Sequence, residues 1–140
     1  MKPLEPISSI MSTNLIKLNV SDSLSKAEHL FNTHNIRHIP VVSGNSIIGI
    51  ISYTDLLRVS FIDSIEDDLE QGKSIVYNIG NIGDVMSKQI ISVTSFTSIK
   101  EVATLLSESN FHAVPVVDNG ILVGMISTVD LLKYFVSKYE

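Results

Sequence analysis

Cysteine is absent from all 140 residues, which removes disulfides, thiolate catalysis and cysteine-ligated zinc together. Charged residues are scarce at 18%, against 44% hydrophobic residues and a positive mean hydropathy, so a packed globule is expected and disorder is not. Apolar residues in this excess also point to a buried subunit interface. No apolar run approaches the roughly 18 residues that a spanning helix needs. The start, MKPLEPISSIMS, has neither the basic opening nor the apolar core of a signal peptide, so a cytoplasmic protein without membrane attachment is expected. Cations are few, and the net charge is −5. Nucleic-acid surfaces draw most of their affinity from Lys and Arg on phosphates, so nucleic acid is not an expected partner. Any anionic ligand must be met by a few local donors.

The sequence does contain an internal repeat, which runs without a gap over residues 7–58 and again over 82–133. RHIPVVSGNSIIGIISYTDLL in the first copy answers HAVPVVDNGILVGMISTVDLL in the second. Met11-Ser12 pairs with Met86-Ser87, Ser23 with Ser98 and Asn35 with Asn110, and hydrophobic positions such as Leu18/Val93 and Leu24/Ile99 match between them.

Both copies parse alike. A short extended segment (Leu15 to Val20) leads into Leu24, Ala27, Leu30 and Phe31 at helical spacing. In the second copy Ser98 to Glu101 reads as a capping box at the helix start. Pro40 and Pro115 each open an apolar run and are expected at a strand start or edge, because proline offers no ladder donor. Ser43-Gly44-Asn45 and Asp118-Asn119-Gly120 supply residues that tolerate the positive φ of a tight hairpin. A second strand follows, over 47–51 or 122–126, and Asp55 or Asp130 falls near the start of a closing helix. The order is β-α-β-β-α, twice.

Residues 1–60 and 82–140 are thus two repeats, and 61–81 a linker in which Phe61, Ile62, Ile65 and Leu69 alternate with acids as an amphipathic helix with one solvated face. A unit of about fifty residues buries too little surface to stand comfortably alone. The expected architecture is α+β: two repeats packed about a pseudo-twofold axis, small sheets flanked by helices, and clefts lined by both copies.

The paired hydrophobic-Pro-Val-Val runs, each followed by G-x-x-S-x-x-D at Gly49, Ser52, Asp55 and Gly124, Ser127, Asp130, resemble a tandem pair of CBS domains, the Bateman module, over nearly the whole chain outside the linker. The resemblance implies a regulatory module that binds AMP, ADP, ATP or S-adenosylmethionine. It implies a homodimer or a separate regulated partner, with no catalytic cofactor and no metal. In such modules the motif acid holds the ribose hydroxyls, the motif hydroxyl positions face ribose or phosphate, and basic residues before the hydrophobic-Pro pair reach the phosphates. Carried over by position, these are Asp55 and Asp130, then Ser52, Thr54 and Ser127, and lastly Arg37, His38 and His112, with Gly49 and Gly124 completing the motif.

The chemistry agrees, since a carboxylate suits a vicinal diol and a helix start suits a phosphate. The same letters also read as plain capping boxes that need no ligand, which leaves a ligand-free structural or interaction module as the alternative. No nucleophile elbow, H-E-x-x-H helix, P-loop or G-x-G-x-x-G is present, so an enzyme is not expected. The copies differ: Arg37, His38 and Thr54 stand where the second has His112, Ala113 and Val129. The Asp55 site is therefore expected to favour a phosphorylated ligand more than the Asp130 site, unless each takes its cation from the other repeat. His29 and His34 are expected on a helix surface.

Overall fold

The structure, a computed structural model, describes residues 5–59 and 81–139. The acidic helix expected over 61–81 therefore lies, except for its last residue, outside the described residues. The chain divides into two compact units, Ile16–Ile90 and Met1–Leu15 with Ile91–Glu140. They are called the Asp55 unit and the Asp130 unit below. Their boundaries do not follow the repeats. The leading segment of each repeat belongs to the unit built by the other.

In the Asp55 unit the order is β1 (Leu18–Asn19), α1 (Leu24–His34), β2 (His38–Ser43), β3 (Ser46–Ser52), α2 (residues 53–59) and α3 (Ile82–Val85). β1 runs parallel to β2, which is antiparallel to β3. α1 starts where the Ser23 side chain accepts from the Lys26 amide and stops at Asn35, whose φ of 52° is left-handed. Its Leu24, Ala27 and Phe31 recur at helical spacing and are buried with Leu18, Ile39, Val41, Ile51 and Leu56. Ile82, from the start of the second repeat, is fully buried in the same core.

The Asp130 unit contains α4 (Ile99–Ser107), β4 (Ala113–Asp118), β5 (Ile121–Ser127) and α5 (Thr128–Ser137), with β4 antiparallel to β5. The extended segment that opens this repeat is reduced to one parallel bridge, Val93 with Val116. Its core of Ile99, Val102, Leu106, Val114, Val116 and Ile126 takes in Ile7, fully buried and supplied by the first repeat. That leading segment is pinned along its length. The Ile7 amide donates to Thr97 O (2.7 Å), the Ile99 amide to Glu5 O (2.8 Å), and Tyr134 Oη to Glu5 Oε1 (2.7 Å).

Both hairpin turns carry the left-handed residues their sequences suggested: Gly44 at φ 64°, and Asn119 and Gly120 at 53° and 81°. Each proline is the third residue of its strand; Pro115 lies on β4, an edge strand as expected, whereas Pro40 lies on β2, neither at its start nor at an edge. The ladder explains it. Pro40 faces Ile50, whose amide and carbonyl are both bonded to Ser87 on the far side of β3 (3.0 and 2.8 Å). Pro115 faces Met125, which is bonded in the same way to Ser12 (3.0 and 2.8 Å). Each proline thus occupies a pair that exchanges no hydrogen bond, and its missing donor costs nothing there.

The same crossing explains the motif glycines. A Cβ on Gly49 would collide with the Met86 Sδ, and one on Gly124 would stand 2.5 Å from the Met11 Sδ. The capping box expected at Ser98 forms by half: Ser98 Oγ accepts from the Glu101 amide (3.1 Å), but the Glu101 carboxylate meets the Ser98 hydroxyl (3.5 Å).

At the end of β4, Asp118 accepts from the Ser95 amide (3.0 Å) and from its hydroxyl (2.7 Å). The amide bond first, and the hydroxyl second, hold its carboxyl below the ordinary value of 3.8 against a smaller opposing desolvation.

Two outcomes are expected. Gly49→Ala and Gly124→Ala each lower stability by about 1–3 kcal/mol, as overpacking does, read from urea midpoints. Truncating the facing methionine (Met86→Ala or Met11→Ala) in the same chain makes the loss less than additive. A carboxyl whose folded pKa is depressed contributes fully above its unfolded value and loses that contribution as pH falls through the folded one. Asp118→Asn should therefore lower the urea midpoint at pH 7 and shrink the drop that the parent shows between pH 5 and pH 3.

Candidate functional site

Each S-x-x-D motif sits where a strand gives way to a helix. Ser52 ends β3 and its Oγ accepts from the Asp55 amide (3.0 Å), while the Ser52 amide donates to Asp55 Oδ2 (3.1 Å). Ser127 and Asp130 repeat the exchange at the start of α5, at 3.1 and 2.9 Å. Both motifs are therefore complete capping boxes, and both helix starts are fixed in place by them.

The cap engages one carboxylate oxygen in each copy, and the other oxygens differ in their surroundings. Asp55 Oδ1 lies 3.4 Å from Arg58 Nη1, one helical turn on. Asp130 Oδ1 has no hydrogen-bond partner among the described residues.

The strands bring the predicted cations to the same places. The Tyr53 amide, first of α2, donates to Arg37 O (2.9 Å), and His38 pairs with Ser52 across the ladder. In the other unit the Thr128 amide donates to His112 O (2.8 Å), which the Thr128 hydroxyl also approaches (3.3 Å). Arg37, His38, Ser52, Thr54 and Asp55 thus gather at the start of α2, and His112, Ser127 and Asp130 at the start of α5. Thr54 is exposed, as is Val129 at the matching place.

Gly49 and Gly124 belong elsewhere. Strand side chains alternate faces, so Gly49, three residues before Ser52, points to the opposite side, where Met86 covers it. His29 and His34 are exposed on α1, as expected.

Two residues of the Asp55 site went unread in the sequence. Tyr53 carries the Arg37 guanidinium 5.5 Å above its ring and packs edge-on against Phe31, also at 5.5 Å. Arg58 meets Asp55. Its signal was the three-residue spacing of opposite charges on a helix; Tyr53 had none, because it fills a variable position whose counterpart is Thr128.

Comparison with known proteins agrees with this geometry. The sequence model of the CBS domain matches residues 7–61 and 82–137. Homoserine O-acetyltransferase of Methanococcus vannielii is 33% identical over 127 residues, covering 89% of this chain and 24% of that protein. Four other curated relatives are likewise spanned over only 23% to 47% of their length. A CBS domain-containing protein of Dictyostelium discoideum is 27% identical, with 96% of this chain and 93% of that one covered. The CBS domain pair of protein MJ0100, solved in complex with 5′-methylthioadenosine and S-adenosyl-L-methionine, superposes with a TM-score of 0.78 at 26% identity, over 97% of this chain and 99% of that one. The capped strand-to-helix motif, its duplication and these matches together place the chain in the CBS domain family, with two copies of the domain.

Proposed function

We propose that the chain is a regulatory, non-catalytic module that binds an adenosine-type compound, AMP, ADP, ATP or S-adenosylmethionine, at the starts of α2 and α5. The observation that carries the reading is the half-used carboxylate. Capping takes Oδ2 of Asp55 and of Asp130, so each keeps Oδ1 outside the cap for the hydroxyls of a ribose, that of Asp55 resting against the exposed Arg58. The helix amides beside it carry partial positive charge and suit a phosphate, even on a chain of net charge −5. Ser52, Thr54, Arg37 and His38 would face ribose and phosphate in one unit, and Ser127 and His112 in the other. The ligands held by the MJ0100 pair are of this chemical class.

A ligand that binds only the folded state stabilises it, and it signals by binding two arrangements unequally. The effect passes to a second copy of the chain or to a separate regulated protein. α5 supports a homodimer: Val129, Leu132 and Val136 lie along one of its stripes, all more than half exposed. Enzyme names among the relatives attach to longer proteins of which this chain matches a part. No described helix is long and apolar enough to cross a membrane, and a cytoplasmic protein is the setting we infer. The fully formed capping boxes also favour a second reading, an interaction module that binds no ligand.

A thermal-shift series separates the two. At a hundred times its Kd, one of AMP, ADP, ATP or S-adenosylmethionine should add about 2.7 kcal/mol, a rise on the order of ten degrees. Asp55→Ala and Asp130→Ala should each shrink that rise, and by different amounts. No rise with any of the four would leave the interaction module standing. For the dimer, sedimentation should show the parent as two copies and Leu132→Glu with Val136→Glu as one.

A further inference from the structure

The chain has two arginines in all, Arg37 and Arg58, and both lie against the Asp55 motif. The Asp130 motif has neither, since its counterparts are His112 and Lys133. Among the described residues Lys133 makes no bond to Asp130.

Arg58 is placed on the oxygen that the cap leaves over. Asp55 Oδ2 is bonded to the Ser52 amide, and Oδ1 faces Arg58 Nη1 at 3.4 Å. The pair is exposed on the cation's side, with 67% of the Arg58 side chain open to solvent and 24% of that of Asp55. An exposed ion pair of this kind is weak, so a ligand can break it. A guanidinium released from a carboxylate keeps its planar fork of donors, which fits a phosphate with two parallel bonds, where a lysine offers only a point charge. Arg37 is held differently, over the Tyr53 ring, and its engagement does not depend on Asp55.

We infer that Arg58 is a specificity-determining residue of the Asp55 site: it covers the aspartate oxygen that a ribose needs, and once displaced it is free to meet a phosphate. A free nucleoside must break the ion pair and gives the guanidinium nothing in return. A phosphorylated nucleoside breaks the same pair and supplies an anion in exchange. The Asp55 site therefore discriminates for the phosphate through Arg58, and the Asp130 site has no such device. The inference rests on Asp55 acting as a ribose holder.

The test titrates AMP and adenosine by calorimetry into three full-length proteins, each carrying Asp130→Ala so that the Asp55 site alone reports. One keeps Arg58, one has Arg58→Gln and one has Arg58→Lys. With Arg58→Gln, AMP should weaken about tenfold, the loss of one charge-assisted contact. Adenosine should tighten about threefold, since the competing ion pair is gone. Arg58→Lys should recover part of the preference for AMP. Equal weakening of both compounds, or an unchanged ratio, overturns the inference and leaves Arg58 as a helix-stabilising charge. If the protein that keeps Arg58 binds neither compound, the adenosine reading of this site falls, and the inference with it. Arg58 is exposed, so folding is not at risk, and matching urea midpoints would verify this.

Discussion

Met86 lying on Gly49, and Met11 on Gly124, is the contact around which each unit is organised. The methionine arrives on the leading segment of the opposite repeat, two antiparallel bonds fasten the following serine to the strand, and an isoleucine four residues earlier completes the core. Three features of the repeated motif answer to that one crossing. Glycine is needed because a side chain would occupy the methionine's place. Proline is tolerated across the ladder because it falls in a non-hydrogen-bonded pair, whose facing residue turns its amide and carbonyl away toward the leading segment. The Met-Ser pair is repeated because both units are closed in the same way. A repeat of about fifty residues buries too little surface to be comfortably stable alone. Here each repeat borrows its last core residue from the other.

Much of this architecture was legible locally. Helix α1 announced itself through the three-four spacing of Leu24, Ala27, Leu30 and Phe31, and the hairpins through Gly44 and Asn119-Gly120, because helix periodicity and turns depend on residues close in sequence. The exchange of leading segments was not legible. Two near-identical repeats offer near-identical docking sites, and pattern alone does not say which copy a segment packs against. The place of each proline along its strand was not legible either: an antiparallel ladder alternates bonded and non-bonded pairs, and which kind Pro40 and Pro115 fall in depends on a register the letters do not state. At Ser98 the motif letters were present, yet the glutamate reached the hydroxyl instead of the amide, a difference of rotamer that sequence does not encode.

At the proposed site one carboxylate has two separable uses, one oxygen for the cap and the other for the ligand we propose. The S-x-x-D spacing is explained in full by the cap, which fixes the direction of the remaining oxygen before any ligand arrives. That preorganisation favours binding, since the entropy of ordering the aspartate is already lost on folding. Both aspartates were singled out from spacing and resemblance, and the structure shows each in a capping box. Two further differences between the copies, Tyr53 against Thr128 and Arg58 against Lys133, occupy positions the motif leaves open.

The distribution of cations then gives those open positions their weight. A chain with net charge −5 and ten cations repels polyanions at long range, so the phosphate of the proposed ligand would have to be met by donors within contact distance. Eight of the ten cations are lysines, suited to solvated surfaces. The two arginines are at one motif, one stacked on an aromatic ring and one resting on the aspartate itself. Two similar folds thereby acquire unequal chemistry: the capping boxes and methionine contacts maintain the same frame in both units, and a few side chains outside that frame make the two helix starts chemically different.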